Sequence, residues 1–242
     1  MEFKPKVLCV VLARGGSKTV PRKNMRELGG QPLVGWPINA ALNCEAVTKV
    51  VCSSEDDEIL NYAESLGAIT LKRPMHLAKD ETASPPVVLH AINHFENLGE
   101  IYDYVFMLEP TSPLTEAKDL DEALNLILKN SNKFDSLVTI AESISGHPDF
   151  TFSLLEDLSI NSINQIDWKV KRRQEISKLY FIEGTLYLSK ISSFKKSVAF
   201  VQKKTLGMVV TREKSFEVDE ELDFYLIEAV LKFRDEKLHV GN

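Results

Sequence analysis

Arg14, Gly15, Gly16, Ser17, Lys18, Arg22 and Lys23 gather four cations around a glycine pair within ten residues. That is the composition of a loop that holds an anion: glycines let main-chain N–H groups approach, and the cations supply charge. The string is neither a P-loop, which needs G-x-x-x-x-G-K-[ST], nor the G-x-G-x-x-G of a dinucleotide fold. An ordinary strand-to-loop turn with solvated charges is the plainer alternative. Two further stretches carry chemistry. Glu217-Val218-Asp219 alternates two carboxylates onto one face of an extended segment, a pairing that suits a hard cation retaining most of its waters. If the segment instead enters a helix, Asp219 could be its cap. Thr111 and Ser112, set between Pro110 and Pro113, offer hydroxyls beside the carboxylate of Glu109.

These residues need a scaffold that brings strand ends together, and the pattern predicts one. Val7 to Leu12 is apolar throughout, as in a strand covered on both faces of a parallel sheet. Further strands are expected at Val47–Cys52, Ala68–Leu71, Tyr104–Leu108, Ser136–Ala141 and Met208–Val210. Helical spacing falls at Leu33–Cys44, after Ser53-Ser54-Glu55-Asp56-Asp57-Glu58, from Ser84 through Phe95, over Glu116–Lys129, and from Glu220 onward. Serine capping and helix-terminal charge explain the acids at 55–58 better than a metal cluster does. The alternation is that of an α/β fold with helices on both faces of a mainly parallel sheet. Such sheets bind ligands at the carboxyl ends of their strands, where Arg14, Glu109 and the acids at 55–58 all fall. Ser143 to Leu179 breaks the rhythm and reads as a β-excursion, with Lys169, Lys171, Arg172 and Arg173 either serving an acidic ligand or solvating a hairpin.

The full strings add more. ARGGSK followed by Lys23-Asn24, the loop Arg73-Pro74-Met75-His76-Leu77-Ala78-Lys79-Asp80-Glu81-Thr82-Ala83-Ser84, and Glu109-Pro110-Thr111-Ser112-Pro113-Leu114-Thr115 occur in order, followed by Arg173-Gln174, Glu183-Gly184-Thr185-Leu186-Tyr187 and Glu217-Val218-Asp219. Together they resemble the acylneuraminate cytidylyltransferases, which make CMP-sialic acid and related CMP-sugars. The resemblance runs from Val7 to about Phe233. It departs from the family pattern at Glu109 (glutamine in LQPTSPLR), Thr115 (arginine there), Glu183 (asparagine in NG-x-x-Y) and Glu217 (aspartate in D-x-D).

The resemblance implies a Rossmann-like nucleotidyltransferase fold, one domain over 1–242 with a dimerisation arm at about 143–182 that helps close a neighbour's sugar site. It implies CTP and an α-keto acid sugar as substrates and Mg²⁺ as cofactor. Arg14 and Lys23 would be catalytic, with Gly15, Gly16 and Ser17 also on the triphosphate, Arg73 near phosphates, Asn24, Ala83 and Ser84 on the cytidine, and Glu109, Thr111 and Ser112 at the acceptor side. Arg173 and Gln174 would help close the sugar site, and Asp219 with Glu217 would hold the metal. A carboxylate at Glu109 repels an anionic acceptor unless it is protonated, metal-bound or paired. A cytidylyltransferase for Kdo or another sugar, or a non-catalytic nucleotide-sugar-binding homologue, are the alternatives.

Composition agrees with a globular enzyme: 242 residues, 44% hydrophobic and 26% charged, carry a net charge of −6. The acidic balance argues against nonspecific nucleic-acid binding. No apolar run reaches membrane-spanning length and MEFKPK lacks a signal-peptide core, so a cytoplasmic protein with no membrane partner is expected. Cys9, Cys44 and Cys52 lie in apolar segments without CxxC spacing and are expected to be buried free thiols. His76 and His90 have no second ligand at a metal spacing and are read as structural or surface residues.

Overall fold

The computed structural model describes residues 4–143, 146–163 and 173–240. Along the chain, β1 (Val7–Leu12) leads through the glycine loop to a small ladder, β2 (Glu27–Leu28) with β3 (Gln31–Pro32), and then to α1 (Gly35–Leu42). Next come β4 (Lys49–Ser54), α2 (Asp57–Ser65), β5 (Ile69–Lys72), α3 (Ser84–Asn97), β6 (Tyr104–Leu108), α4 (Ala117–Lys129) and β7 (Ser136–Glu142). The excursion holds β8 (Phe152–Leu154) and β9 (Ile160–Ser162). The chain then returns through β10 (Tyr180–Lys190), α5 (Ile191–Ser197), β11 (Thr205–Val209) and α6 (Glu221–Val240).

Seven strands form one sheet in the order β11-β7-β10-β6-β1-β4-β5. β1 pairs in parallel with both β4 and β6, and β5 and β11 also join in parallel. β10 alone runs antiparallel, between β6 and β7. The period-two alternation of β1 divides the core: Val7, Cys9 and Val11 pack with α1, α2 and α4, whereas Leu8, Val10 and Leu12 pack with α3 and α5. Helices therefore cover both faces, as the sequence pattern predicts. The three cysteines are free and buried.

A third, smaller core sets the site. Val20 at the end of the glycine loop, Leu28 and Leu33 pack with Leu114, Val218, Phe224 and Ile227. Because Val218 is fully buried there, the segment at 217–219 is held in place, with Asp219 against the glycine loop at Thr19 and Lys23 and Glu217 against Ser112 and Gly184.

Several boundaries differ from the sequence expectation for identifiable reasons. β4 extends to Ser54 rather than stopping at Cys52, since both serines are buried and bonded: Ser53 accepts from Arg73, and Ser54 Oγ accepts from the Asp56 N–H at 3.1 Å. The cap of α2 is Asp56, whose carboxylate accepts from the Ile59 N–H at 3.1 Å, not a serine. β11 begins at Thr205 and ends at Val209, shifted from the expected Met208–Val210. The excursion is β-like as expected, an antiparallel hairpin of β8 and β9. The cations Lys169, Lys171 and Arg172 lie outside the described residues.

Candidate active site

The glycine loop leaves β1 beside the carboxyl end of β4. The Ala13 N–H donates to the Ser53 carbonyl at 3.2 Å, and the Gly15 N–H donates to Glu55 Oε1 at 2.6 Å. A Cβ at Gly15 would stand 2.5 Å from Asp56 Oδ2, so this glycine is required by close approach to the β4–α2 turn, with its amide turned to Glu55. Gly16 has open space around it and lines the cavity. Asn24 is buried and donates from Nδ2 to the Arg14 carbonyl at 2.9 Å, tying the two ends of the loop together. Arg22 adopts a left-handed backbone (φ 56°) and pairs with Asp56 and Glu58 at the start of α2. The Arg22 guanidinium holds the Asp56 carboxyl below the usual carboxylate range.

A cavity of about 290 Å³ opens above this loop. Of the residues singled out in the sequence, Arg14, Gly16, Ser17, Lys23, Asn24, Arg73, Ser84, Glu109 and Thr111 line it. Arg73 is buried and held rigidly, with Nη2 donating to the Ser53 carbonyl at 2.7 Å and Nε to Ser53 Oγ at 3.3 Å. Ala83 is the cap position of α3, and prolines fill the first turn of that helix. Ser84 opens the helix and donates from Oγ to Glu109 Oε1 at 2.8 Å, so the carboxylate at the position of the family's glutamine is paired by a neutral donor.

The carboxylate side adjoins this cavity through Lys23. Lys23 Nζ donates to the Val218 carbonyl at 2.8 Å and lies 3.8 Å from Asp219 Oδ1, and Thr19 Oγ1 donates to the Asp219 carbonyl at 2.6 Å. On the other flank the Val218 N–H donates to the Thr111 carbonyl at 2.8 Å. Lys23 is consequently a partly buried tie between the glycine loop and the segment at 217–219.

Asp219 has an exposed side chain. It does not cap α6: Asp223 reaches back, its Oδ2 accepting from the Asp219 N–H at 2.8 Å and the Glu220 N–H at 2.7 Å. Glu217 is more enclosed. Ser112 Oγ, itself buried, donates to Glu217 Oε1 at 3.3 Å. Burial, then the charges of Asp219, Glu109 and Glu183, push the Glu217 carboxyl up to about 7. Gly184 (φ +86°) passes so near that a Cβ there would stand 1.9 Å from Glu217 Oε1, which accounts for the glycine after Glu183. Glu183 is buried and accepts from the Thr185 N–H at 3.2 Å, and burial raises its pKa.

An all-oxygen donor set fits a hard cation better than a soft one. Among the described residues no group of three or more ligating side chains forms a closed cage. The pair therefore suits an ion that shares its remaining positions with water and phosphate oxygens.

Gln174, in the turn Arg173–Glu175, is exposed and does not line the cavity, and the Arg173 side chain lies outside the described residues. Sequence reasoning passed over Glu55, which anchors Gly15, and Lys79, Asp80 and Thr82, which form the opposite wall. Asp80 pairs with Arg14 and with Lys18, the latter at 3.0 Å. Its place in the RP-x-x-LA-x-D string was the available signal.

A family model described as cytidylyltransferase matches residues 8–229. The chain belongs to the cytidylyltransferase family. It is 34% identical over 188 residues to a pseudaminic acid cytidylyltransferase of Campylobacter jejuni, covering 75% of this chain and 77% of that protein. It is 28% identical over 224 residues to an N-acylneuraminate cytidylyltransferase of Escherichia coli, covering 93% of this chain and 52% of that longer protein. Among solved structures, CMP:2-keto-3-deoxy-manno-octonic acid synthetase complexed with CTP superposes with a TM-score of 0.69 at 13% identity, covering 95% of this chain and 99% of that one. At that identity the likeness is one of fold. The cavity of this cytidylyltransferase thus lies where a Rossmann-like nucleotidyltransferase fold carries its ligand, at the carboxyl ends of β1, β4 and β6.

Proposed function

We propose that this protein transfers CMP from CTP to the anomeric hydroxyl of a nonulosonic acid, a nine-carbon α-keto acid sugar of the sialic, legionaminic or pseudaminic type. The hydroxyl oxygen attacks the α-phosphorus in line, the bond to the bridging oxygen of the β-phosphate breaks, and pyrophosphate leaves. Positioning and charge neutralisation carry most of such a reaction. The observation that carries this reading is the junction at Lys23, which ties a cationic glycine loop to the Val218 carbonyl and the Asp219 carboxylate.

In this reading Arg14, Ser17 and Lys23 hold the triphosphate, and Arg73, fixed by Ser53, presents its guanidinium to the cavity wall. Ala83 and Ser84 open a helix against which the cytosine lies. Asn24 acts on the nucleotide through the loop it braces. Asp219 with Glu217 would hold Mg²⁺, which when bound supplies positive charge to phosphate oxygens. Glu109, paired with Ser84, faces the acceptor with part of its charge spoken for by a hydrogen bond, which eases its repulsion of a sugar carboxylate.

The named relatives that act on pseudaminic and N-acylneuraminic acid support a nonulosonic acceptor over Kdo. The arm around β8 and β9, with Arg173 and Gln174 behind it, is taken to dimerise and to close the partner's sugar site. We take the reaction to be cytoplasmic, where CTP is made and where free thiols such as Cys9, Cys44 and Cys52 persist. A pyrophosphate-release assay with CTP and a panel of sialic, legionaminic and pseudaminic acids, Kdo and no sugar tests the reading. Release that depends on a nonulosonic acid is expected. Release with Kdo alone, or with none of them, overturns it.

A further inference from the structure

The cations of the glycine loop are not equally available. Arg22 is engaged by Asp56 and Glu58 on α2, Lys23 by the Val218 carbonyl, and Arg73 by Ser53. All of those partners belong to regular elements or their packed flanks. Arg14 and Lys18 differ: among the described residues the only side-chain partner of either is Asp80. Asp80 stands on the loop between β5 and α3, across the cavity from the glycine loop, and each of its carboxylate oxygens takes one cation.

Beyond Arg73, which bonds to Ser53 and Ser54, the other hydrogen bonds of residues 74–82 are internal to the loop among the described residues. The Leu77 and Ala78 N–H groups donate to the Pro74 and Met75 carbonyls, the Thr82 N–H to the Lys79 carbonyl, and Thr82 Oγ1 to the His76 carbonyl. Among the described residues, Asp80 supplies the hydrogen bonds and ion pairs that join residues 75–82 to other elements.

We propose that Asp80 is an internal competitor for the triphosphate subsite, holding Arg14 and Lys18 while the cavity is empty and giving them up when a triphosphate or pyrophosphate binds. The proposal rests on the reading of the glycine loop as the triphosphate site. Carboxylate and phosphate oxygens accept from the same guanidinium and ammonium donors, and a carboxylate left beside a bound triphosphate repels it. The pair is half exposed, so displacing it is cheap. After transfer, Asp80 retakes the two cations as pyrophosphate leaves, which shortens the product's stay and keeps loop 75–82 docked.

Calorimetric titration of the full-length protein with CTP and, separately, with sodium pyrophosphate tests this, comparing wild type with Asp80→Asn and Glu81→Gln. Glu81 removes the same charge from the same exposed loop but pairs with neither cation, so it reports long-range electrostatics alone. Asp80→Asn should tighten both ligands by about two- to tenfold, a range that two exposed ion pairs together allow, while Glu81→Gln stays near wild type. Amide exchange over residues 75–82 should speed up when pyrophosphate binds wild type and should already be fast in ligand-free Asp80→Asn. Unchanged or weaker binding by Asp80→Asn, or an equal gain from Glu81→Gln, overturns the proposal. Wild type that binds neither CTP nor pyrophosphate would instead remove the triphosphate assignment and the competitor with it.

Discussion

Asp219 offers the cleanest single-residue test, because its carboxylate is exposed and Asp223 already serves the N–H groups at the entrance to α6. Asp219→Asn should therefore leave stability within about 0.5 kcal/mol of wild type, while the rate of pyrophosphate release falls steeply and recovers in part at raised Mg²⁺. A lowered melting temperature with an unchanged rate per folded molecule would overturn the proposed Mg²⁺ role of Asp219. Arg14, Gly16, Ser17, Lys23 and Asn24 were found because one short string holds them all, and Glu109 and Thr111 because prolines frame them. Glu55 and Asp80 were not. Each meets the glycine loop across dozens of intervening residues, Glu55 at a separation of 40 and Asp80 at 66, and it takes the parallel pairing of β1 with β4, and for Asp80 also of β4 with β5, to make those separations contacts. Asn24 shows the converse: a residue type suited to a base or ribose donates its amide to the loop's own carbonyl.

Elements explain how the departures from the family pattern are absorbed. Where the family carries arginine, the buried Thr115 hydroxyl lies 2.9 Å from the Ser112 carbonyl and 3.1 Å from the Thr185 carbonyl, bridging the turn after β6 to β10. A short hydroxyl thus braces the turn against the neighbouring strand. Thr115→Val keeps the volume and removes the donor, so it should cost about 1–2 kcal/mol. In a domain of this size that lowers the melting temperature by roughly 2–8 °C, with CTP affinity nearly intact because the cavity side of the turn is untouched. A drop in CTP affinity without a thermal shift would show that Thr115 serves the site and not the turn. Strands and helices with a clear period were legible within a residue or two, β1 and β6 without error. The edges failed where polar residues are buried with partners, as at Ser53 and Ser54, or where order in the sheet departs from order in the chain. The insertion of β10 antiparallel between β6 and β7 leaves no local trace.

At the scale of the whole molecule, two features concern how it meets its surroundings. Glu183 is buried, and its pKa is raised first by desolvation. The folded state therefore holds this proton more tightly than the unfolded chain. Its contribution favours folding below the ordinary glutamate range and turns against folding as pH rises through the folded-state pKa. Glu183→Gln, a neutral isostere that can still accept from the Thr185 N–H, should raise the melting temperature at pH 8, by about 2 °C or more, and lose that gain near pH 4. An equal effect at both pH values would mean that packing, not charge, dominates there. The second feature is the excursion. Among the described residues β8 and β9 pair only with each other, and a two-stranded hairpin is marginal in water without a third strand or a covering surface. Leu154 and Ile160 face each other across it, 67% and 46% exposed, and Leu158 at its tip is 77% exposed. The consecutive residues Tyr180, Phe181 and Ile182 at the start of β10 are exposed as well, so that strand stands clear of the core on both faces. An apolar surface of this extent is stable once something covers it, and a second copy of the chain supplies an identical apolar face by two-fold symmetry. Light scattering should show a dimer at micromolar concentration. Leu154→Asp combined with Ile160→Asp should give a monomer whose melting temperature is concentration-independent, since neither side chain belongs to the monomer's core. If wild type is itself monomeric and fully active at that concentration, the hairpin is a surface ornament of one chain and the arm has no part in closing a neighbour's sugar site.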